Sequence, residues 1–397
     1  MDDNHQPSDN RPYGSLGDID YPIIDADAHV NEPPDLWQTR VPSKLRDRAP
    51  KVIRTDSGDV WSFDGGRRTW PLGLTACAGD SFPAYAAATT YDQIRPGSFD
   101  PAARLGDMDI DGVHAAVLFP SVALTGAKTY ADDREMQTAC VRAYNEWIAD
   151  FCAAGPGRLF GVGVIPTTGI DDALVELEAA IASGHRGVVI SRYPNGDFLP
   201  DPVDDRFWAM AVEADLAVGV HIGSFLPSNP AQVWPDSSSM QIVSVSSLAK
   251  AGTESMPVAC HLIYSGLFER FPTLKVVLVE ANIGWIPILL EQMDDTWDRL
   301  RFVSGAPKFL SRMPSEVFHR NLWSTFMHDT AGVELRHRMN LQHICWSTDY
   351  PHAGTDWPNS RKNIERLFRG VPRDEVKRML HTNAKNLYGL DEVPDRR

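Results

Sequence analysis

Ile23-Ile24-Asp25-Ala26-Asp27-Ala28-His29-Val30 opens as an apolar, β-prone run and ends by offering Asp27 and His29, two metal-ligand types one residue apart. On a strand, residues i and i+2 point to the same side. An Asp-x-His at a strand end therefore aims a carboxylate and an imidazole into one site. Alone the short motif reads more readily as two hydrogen-bonded structural polars, so the other ligands must come from the ends of other strands.

The rest of the chain supplies those strands. Val113–Pro120 is a buried-strand pattern; Leu159–Ile165, stopped by Pro166, is a third strand, Gly187–Ser191 a fourth and Leu216–Gly223 a fifth. Leu274–Glu280, Leu322–Met327 and Ile344–Ser347 complete eight. Between them the apolar spacing predicts helices over Pro101–Asp109, Asp132–Ala153, Ile170–Ser183, Phe207–Ala214, Pro257–Phe271 and Gly284–Phe302, with Ser360–Phe368 and Arg373–Leu387 closing the chain. Eight strands alternating with helices is the pattern of an α/β (β/α)8 TIM-like barrel. The competitor, a doubly wound sheet, lacks its Gly-x-Gly-x-x-Gly after the first strand.

We divide the 397 residues into a flexible N-terminal arm (1–20), a barrel (21–390) and a polar tail (391–397). Within the barrel lie insertions after strands one and five: a hairpin/cap segment (38–100), with a hairpin over Val60–Trp70, and a Ser-, Pro- and Gln-rich loop (225–256). The formal charge of -15 and the absence of a basic tract argue against nucleic acid and anionic membranes as partners, leaving a small-molecule substrate. No apolar run is long enough to span a bilayer, and no signal peptide is expected. Five scattered cysteines, none in a Cys-x-x-Cys pair, suit reduced thiols in the cytoplasm. The aromatic hairpin at Trp61 and Trp70 favours a homodimer or higher homo-oligomer.

In such a barrel, catalytic groups gather where strands end. His221 ends strand five, Glu280 ends strand six with Asn282 just beyond, and Asp349 follows strand eight. Asp27, His29, His221 and Asp349 would place two nitrogens and two oxygens around one divalent ion, Zn²⁺ first and Mn²⁺, Fe²⁺ or Co²⁺ as alternatives. His352, three residues after Asp349, is the candidate proton donor, and His328 near the end of strand seven a second. Arg192 after strand four, Asn282 and Trp285 are candidate substrate contacts. Glu32 reads as a solvated loop acid or a partner of the metal site.

Several segments resemble the amidohydrolase superfamily, in particular the amidohydrolase-related group that includes aminocarboxymuconate semialdehyde decarboxylase and the resorcylate-type decarboxylases. They are Asp27-Ala28-His29, Phe268–Val277, Glu280-Ala281-Asn282-Ile283-Gly284-Trp285, Ser347-Thr348-Asp349-Tyr350-Pro351-His352 and Asn383–Tyr388. The resemblance implies one catalytic metal at the barrel mouth, held by Asp27, His29, His221 and Asp349. It implies non-oxidative decarboxylation of a small aromatic or unsaturated carboxylate. The alternatives are metal-dependent hydrolysis of an amide, ester or ring C–C bond, with Asp349 or Glu280 accepting the proton of water, and a non-catalytic metabolite-binding barrel. Two departures stand out: strand one carries Asp-x-His where relatives often have His-x-His or Glu-x-His, and Glu280-Ala281-Asn282 stands where some decarboxylases have a strand-six histidine.

Overall fold

The computed structural model describes residues 19–56, 58–81, 89–123, 130–225, 249, 251–304 and 309–396. The 1–18 part of the expected arm and most of the 225–256 insertion lie outside these residues.

The first strand, β1, is Ile24–Val30, and all seven of its residues are buried. A small antiparallel sheet follows: β2 (Lys51–Thr55), β3 (Gly58–Phe63) and β4 (Arg68–Pro71), in the order β2-β3-β4. The expected hairpin is its β3–β4 half, where Trp61 pairs with Trp70. The remaining barrel strands are β5 (Ala115–Pro120), β6 (Leu159–Val164), β7 (Gly187–Val189), β8 (Ala217–His221), β9 (Val276–Val279), β10 (Leu322–Phe326) and β11 (Ile344–Trp346). With β1 they form one eight-stranded parallel sheet in chain order. The ring closes just beyond β11: Asp349 N donates to Asp27 O (3.0 Å) and His29 N to Tyr350 O (2.6 Å).

Local chemistry sets the helix ends. Asp100 caps the helix Pro101–Asp111 through Ala103 N, Pro101 sits in its first turn, and Gly112 ends it at φ 77°. Asp133 caps Arg134–Ala153 through Met136 N. The helix expected over Pro257–Phe271 is instead two, Ser255–Tyr264 and Leu267–Arg270, because Gly266 takes φ 71° between them.

Trp61 is fully buried, edge-on to Trp37 (5.2 Å) and Tyr91 (6.2 Å), so the small sheet is anchored to the barrel core, while Trp70 is 49% exposed. A register shift in β1 between Asp25 and Ala28 sets two residues there, Ala26 and Asp27, against one on β5, Val117. This bulge interrupts plain alternation at Asp27, the first of the ligand pair. Asp25 turns to Thr348, accepting from its N (2.9 Å) and Oγ1, while Asp27 and His29 face the barrel mouth.

Candidate metal centre

Four strand ends deliver the chemistry. Asp27 and His29 come from β1, His221 is the last residue of β8, and Glu280 and Asp349 stand just past β9 and β11. Glu280, Asn282 and Asp349 all have φ near +55°, a left-handed backbone that costs a non-glycine residue about 1–3 kcal/mol. The cost falls where the chain must turn sharply at the mouth. His29 Nε2 lies 3.0 Å from His221 Nε2 and 3.5 Å from both Asp27 Oδ1 and Asp349 Oδ1. His221 Nε2 is 3.8 Å from Asp27 Oδ1 and 3.6 Å from Glu280 Oε2.

The hydrogen-bond network orients the two imidazoles. His29 Nδ1 contacts Pro120 O and His221 Nδ1 contacts Ile222 O, each at 3.0 Å. A carbonyl only accepts, so both Nδ1 atoms donate and both Nε2 lone pairs turn towards each other. Asp27 Oδ1 and Asp349 Oδ1 are buried with no hydrogen-bond donor among the described residues. Asp27 Oδ2 receives a long bond from Thr325 Oγ1 (3.3 Å).

Burial, then the neighbouring charges of Glu280, Asp349 and Asp25, pushes the Asp27 pKa well above the carboxylate range. Burial and then Asp25 do the same to Asp349, and burial and then Asp349 to Glu280. Burial, followed by His352 and His221, drives His29 well below the usual histidine value. Acids that resist ionising, beside lone pairs turned on one another, are what a bound cation would reconcile. Asp27, His29 and His221 bring ligand atoms within 4.8 Å of one another, and His29, Glu280, Asp349 and His352 form a second such group that shares His29; these nitrogen and oxygen donors suit a divalent ion of the Zn²⁺ or Mn²⁺ type.

The other predicted residues fall at different distances from this centre. His352 stacks on His29 (3.9 Å between ring centroids) with Nδ1 2.9 Å from Asp349 Oδ1 and Nε2 2.8 Å from Ser121 Oγ. Burial, then Arg104, lowers its pKa to about 3. His328 is 43% exposed and pairs with Asp356 at 3.1 Å. Asn282 Oδ1 accepts from Met327 N (3.5 Å), tying the loop after β9 to the end of β10, and the Trp285 indole donates to Ala281 O (2.7 Å) within its own loop. Arg192 Nη1 donates to Gly196 O (3.3 Å) and its guanidinium lies 4.8 Å over Phe198. Phe198 lines a hollow beside His221 together with Ile222, Phe225 and Val258.

Glu32 is fully buried, which corrects its reading as a solvated acid. Its carboxylate accepts from Val122 N (3.0 Å) and Ala123 N (2.8 Å), and its burial lifts the pKa to about 7. Ser121, Thr325, Asp25 and Arg104 also support the site, and sequence reading did not single them out for it. Arg104 is buried, donates to His29 O and Gly97 O, and lies 4.3 Å over Tyr350. Only Asp25 left a signal, two residues before Asp27 on the same strand.

A family model described as Amidohydrolase matches residues 24–390. The chain belongs to the amidohydrolase family. It is 21% identical over 302 residues to 2-amino-3-carboxymuconate-6-semialdehyde decarboxylase of Dictyostelium discoideum, covering 75% of this chain and 77% of that one. Among solved structures, an amidohydrolase from Mycobacterium avium subsp. paratuberculosis superposes with a TM-score of 0.74 at 18% identity, covering 94% of this chain and 100% of that one. A variant of 5-carboxyvanillate decarboxylase from Novosphingobium aromaticivorans, with bound manganese and 3-methoxy-4-hydroxy-5-nitrobenzoic acid, superposes with a TM-score of 0.67 at 17% identity, covering 96% and 100%. These structures share the amidohydrolase barrel with this chain.

Proposed function

We propose that this amidohydrolase-family protein is a metal-dependent carboxy-lyase that replaces the carboxylate of a small aromatic or unsaturated acid by hydrogen, without oxidation. The observation that carries the reading is the crowding around His29 Nε2, with His221 Nε2 at 3.0 Å, the buried oxygens Asp27 Oδ1 and Asp349 Oδ1 each at 3.5 Å, and His352 stacked on the His29 ring. Asp27, His29, His221 and Asp349 would hold the ion, Zn²⁺ by donor set and Mn²⁺ as the alternative carried by a similar decarboxylase. When bound, the ion supplies positive charge for a substrate carboxylate and an adjacent oxygen.

The chain's own residues handle the proton. A proton reaching His352 Nδ1 is held against Asp349 Oδ1. Burial disfavours the imidazolium, so Nδ1 gives the proton up readily. It passes to the ring carbon that bears the carboxylate; the C–C bond then breaks, its electrons return to the ring and CO₂ leaves. Glu280, whose burial favours its protonated form, is a second donor 3.6 Å from His221. His328, exposed and paired with Asp356, has the weaker claim. Arg192 and the hollow walled by Phe198 are assigned to substrate. Asn282 and Trp285 shape the loop after β9.

The named activities of the relatives support a decarboxylase over a hydrolase. Elemental analysis of purified protein, with a screen of hydroxybenzoates, amides and esters, tests the reading. One divalent ion per chain and metal-dependent CO₂ release are expected. Failure to bind any divalent ion on reconstitution overturns it, and amine or carboxylate release without CO₂ assigns hydrolysis instead. Five free cysteines suit a cytoplasmic setting. A homodimer through the Trp70 edge of the small sheet belongs to the same reading and is checked by light scattering.

A further inference from the structure

The hollow beside His221 has a volume of about 300 Å³, within the size range of small-molecule sites. Two aromatic rings, Phe198 and Phe225, line it together with Ile222 from the end of β8. The loop after β7 backs both rings. The Arg192 guanidinium lies 4.8 Å over Phe198, and Tyr193, fully buried, meets Phe225 edge-on at 5.2 Å. Packing therefore sets these walls before a ligand arrives, which lowers the ordering cost of binding.

The helix Ser255–Tyr264 and the residue before it supply a further wall. Glu254, Val258 and His261 are spaced i, i+4 and i+7, the repeat of one helix face, and all three line the hollow. Glu254 stands at the cap position of this helix, yet its side chain makes no capping bond. Among the described residues, neither Glu254 nor His261 has an ion pair or a side-chain hydrogen bond, and no lysine or arginine lines the hollow. A largely apolar space thus carries a carboxyl group and an imidazole that the protein does not itself pair. A carboxylate only accepts, and an imidazole can accept through one nitrogen. The group that suits this wall is a hydrogen-bond donor, a hydroxyl or an amine. A second carboxylate would meet Glu254 as a like charge, which works against binding.

We propose that this hollow takes the end of the substrate remote from its reacting carboxylate, and that Glu254 selects a hydroxyl or amino group there and rejects a second acid. The substrate class is then a monocarboxylic aryl or unsaturated acid with a hydrogen-bond donor at its far end. Which end of the molecule lies at the metal rests on the carboxy-lyase reading above; the preference for a donor rests on the hollow alone.

The test is titration calorimetry of the full chain, reconstituted with Zn²⁺, against benzoates and cinnamates that carry a hydroxyl, amino, methoxy or carboxyl group in the para position. The wild type is expected to bind the hydroxy and amino acids roughly 10–100-fold more tightly than the methoxy acids, the worth of a hydrogen bond to a charged group, and the dicarboxylates most weakly. Glu254→Leu is expected to erase this ranking. Glu254→Gln keeps an acceptor and loses the charge, so it should still favour the hydroxyl and should admit the dicarboxylates. A wild type that binds none of the acids or does not rank them, or a ranking that survives Glu254→Leu, overturns the proposal. If Glu254→Leu does not fold, continued rejection of the dicarboxylates by Glu254→Gln overturns it instead. CO₂ release is followed separately on the same acids. The expected ranking with no CO₂ from any of them sinks the carboxy-lyase reading alone, and CO₂ release without the ranking sinks the proposal alone.

Discussion

Replacing Glu32 by Gln should remove a pH dependence of folding that the structure assigns to this one carboxyl. Glu32 is wholly buried, and although Ala123 N and Val122 N donate to it, the loss of hydration outweighs them, so its pKa rises from 4.5 to about 7. Between these values it is protonated in the folded chain and ionised in the unfolded one. The unfolded state then binds fewer protons, so stability falls as pH rises. The contribution is fully present below 4.5 and is lost as pH climbs through about 7. Each pH unit in that interval is worth about 1.4 kcal/mol, so the whole comes to roughly 3 kcal/mol. Glutamine keeps one oxygen for the two amides and cannot ionise; a lost hydrogen bond costs it about 1 kcal/mol at every pH. Urea titrations of metal-free wild type and Glu32→Gln, from about pH 5 to about pH 8, measure the difference. The wild type should lose roughly 2–3 kcal/mol relative to the variant across that range. Parallel curves, or a wild type that gains on the variant as pH rises, would refute the assignment, the second by showing that the two amides hold Glu32 ionised.

Three further outcomes follow from the site. His221→Ala should abolish stoichiometric divalent-ion binding, measured by elemental analysis after reconstitution; an intact complement would mean the centre is misplaced. His352→Gln should lower the kcat of CO₂ release by roughly 10²–10⁴, the usual worth of a general acid, with the metal retained. Gly354→Ala would put a Cβ 2.7 Å from Asp349 Oδ2 and 3.2 Å from Met327 Cε. A carboxylate ligand displaced in this way should weaken metal affinity by roughly 10–100-fold in a chelator competition.

The barrel was legible because its strands are buried on both faces and read as short apolar runs between helices of clear period. Asp27, His29, His221 and Asp349 were legible for a related reason: each follows or ends such a run. Strand β2 was missed because Lys51-Val52-Ile53-Arg54-Thr55 is only partly covered and alternates weakly. Glu32 was misread because a charge in a Pro-rich loop suggests solvent, and its partners, Val122 N and Ala123 N, are ninety residues away in the chain. Arg104 was hidden in another way. It lies in an amphipathic helix where arginine ordinarily faces water, and its target is the backbone carbonyl of His29. Ser121 and Thr325 carry no pattern at all, since a hydroxyl acquires its role only from what the fold sets beside it.

The seam of the barrel has a consequence for how the protein is made. Asp27 and His29 precede their backbone partners, Asp349 and Tyr350, by more than three hundred residues. Every strand from β1 to β11 must be synthesised before the ring can shut and the proposed ligand set can assemble. Contacts so distant along the chain form late and slowly, and the acids gathered at the seam resist ionisation without a counter-charge. Chains halted before β11 lack Asp349 and the seam it closes, so the proposed ion site can form only on chains that extend past β11.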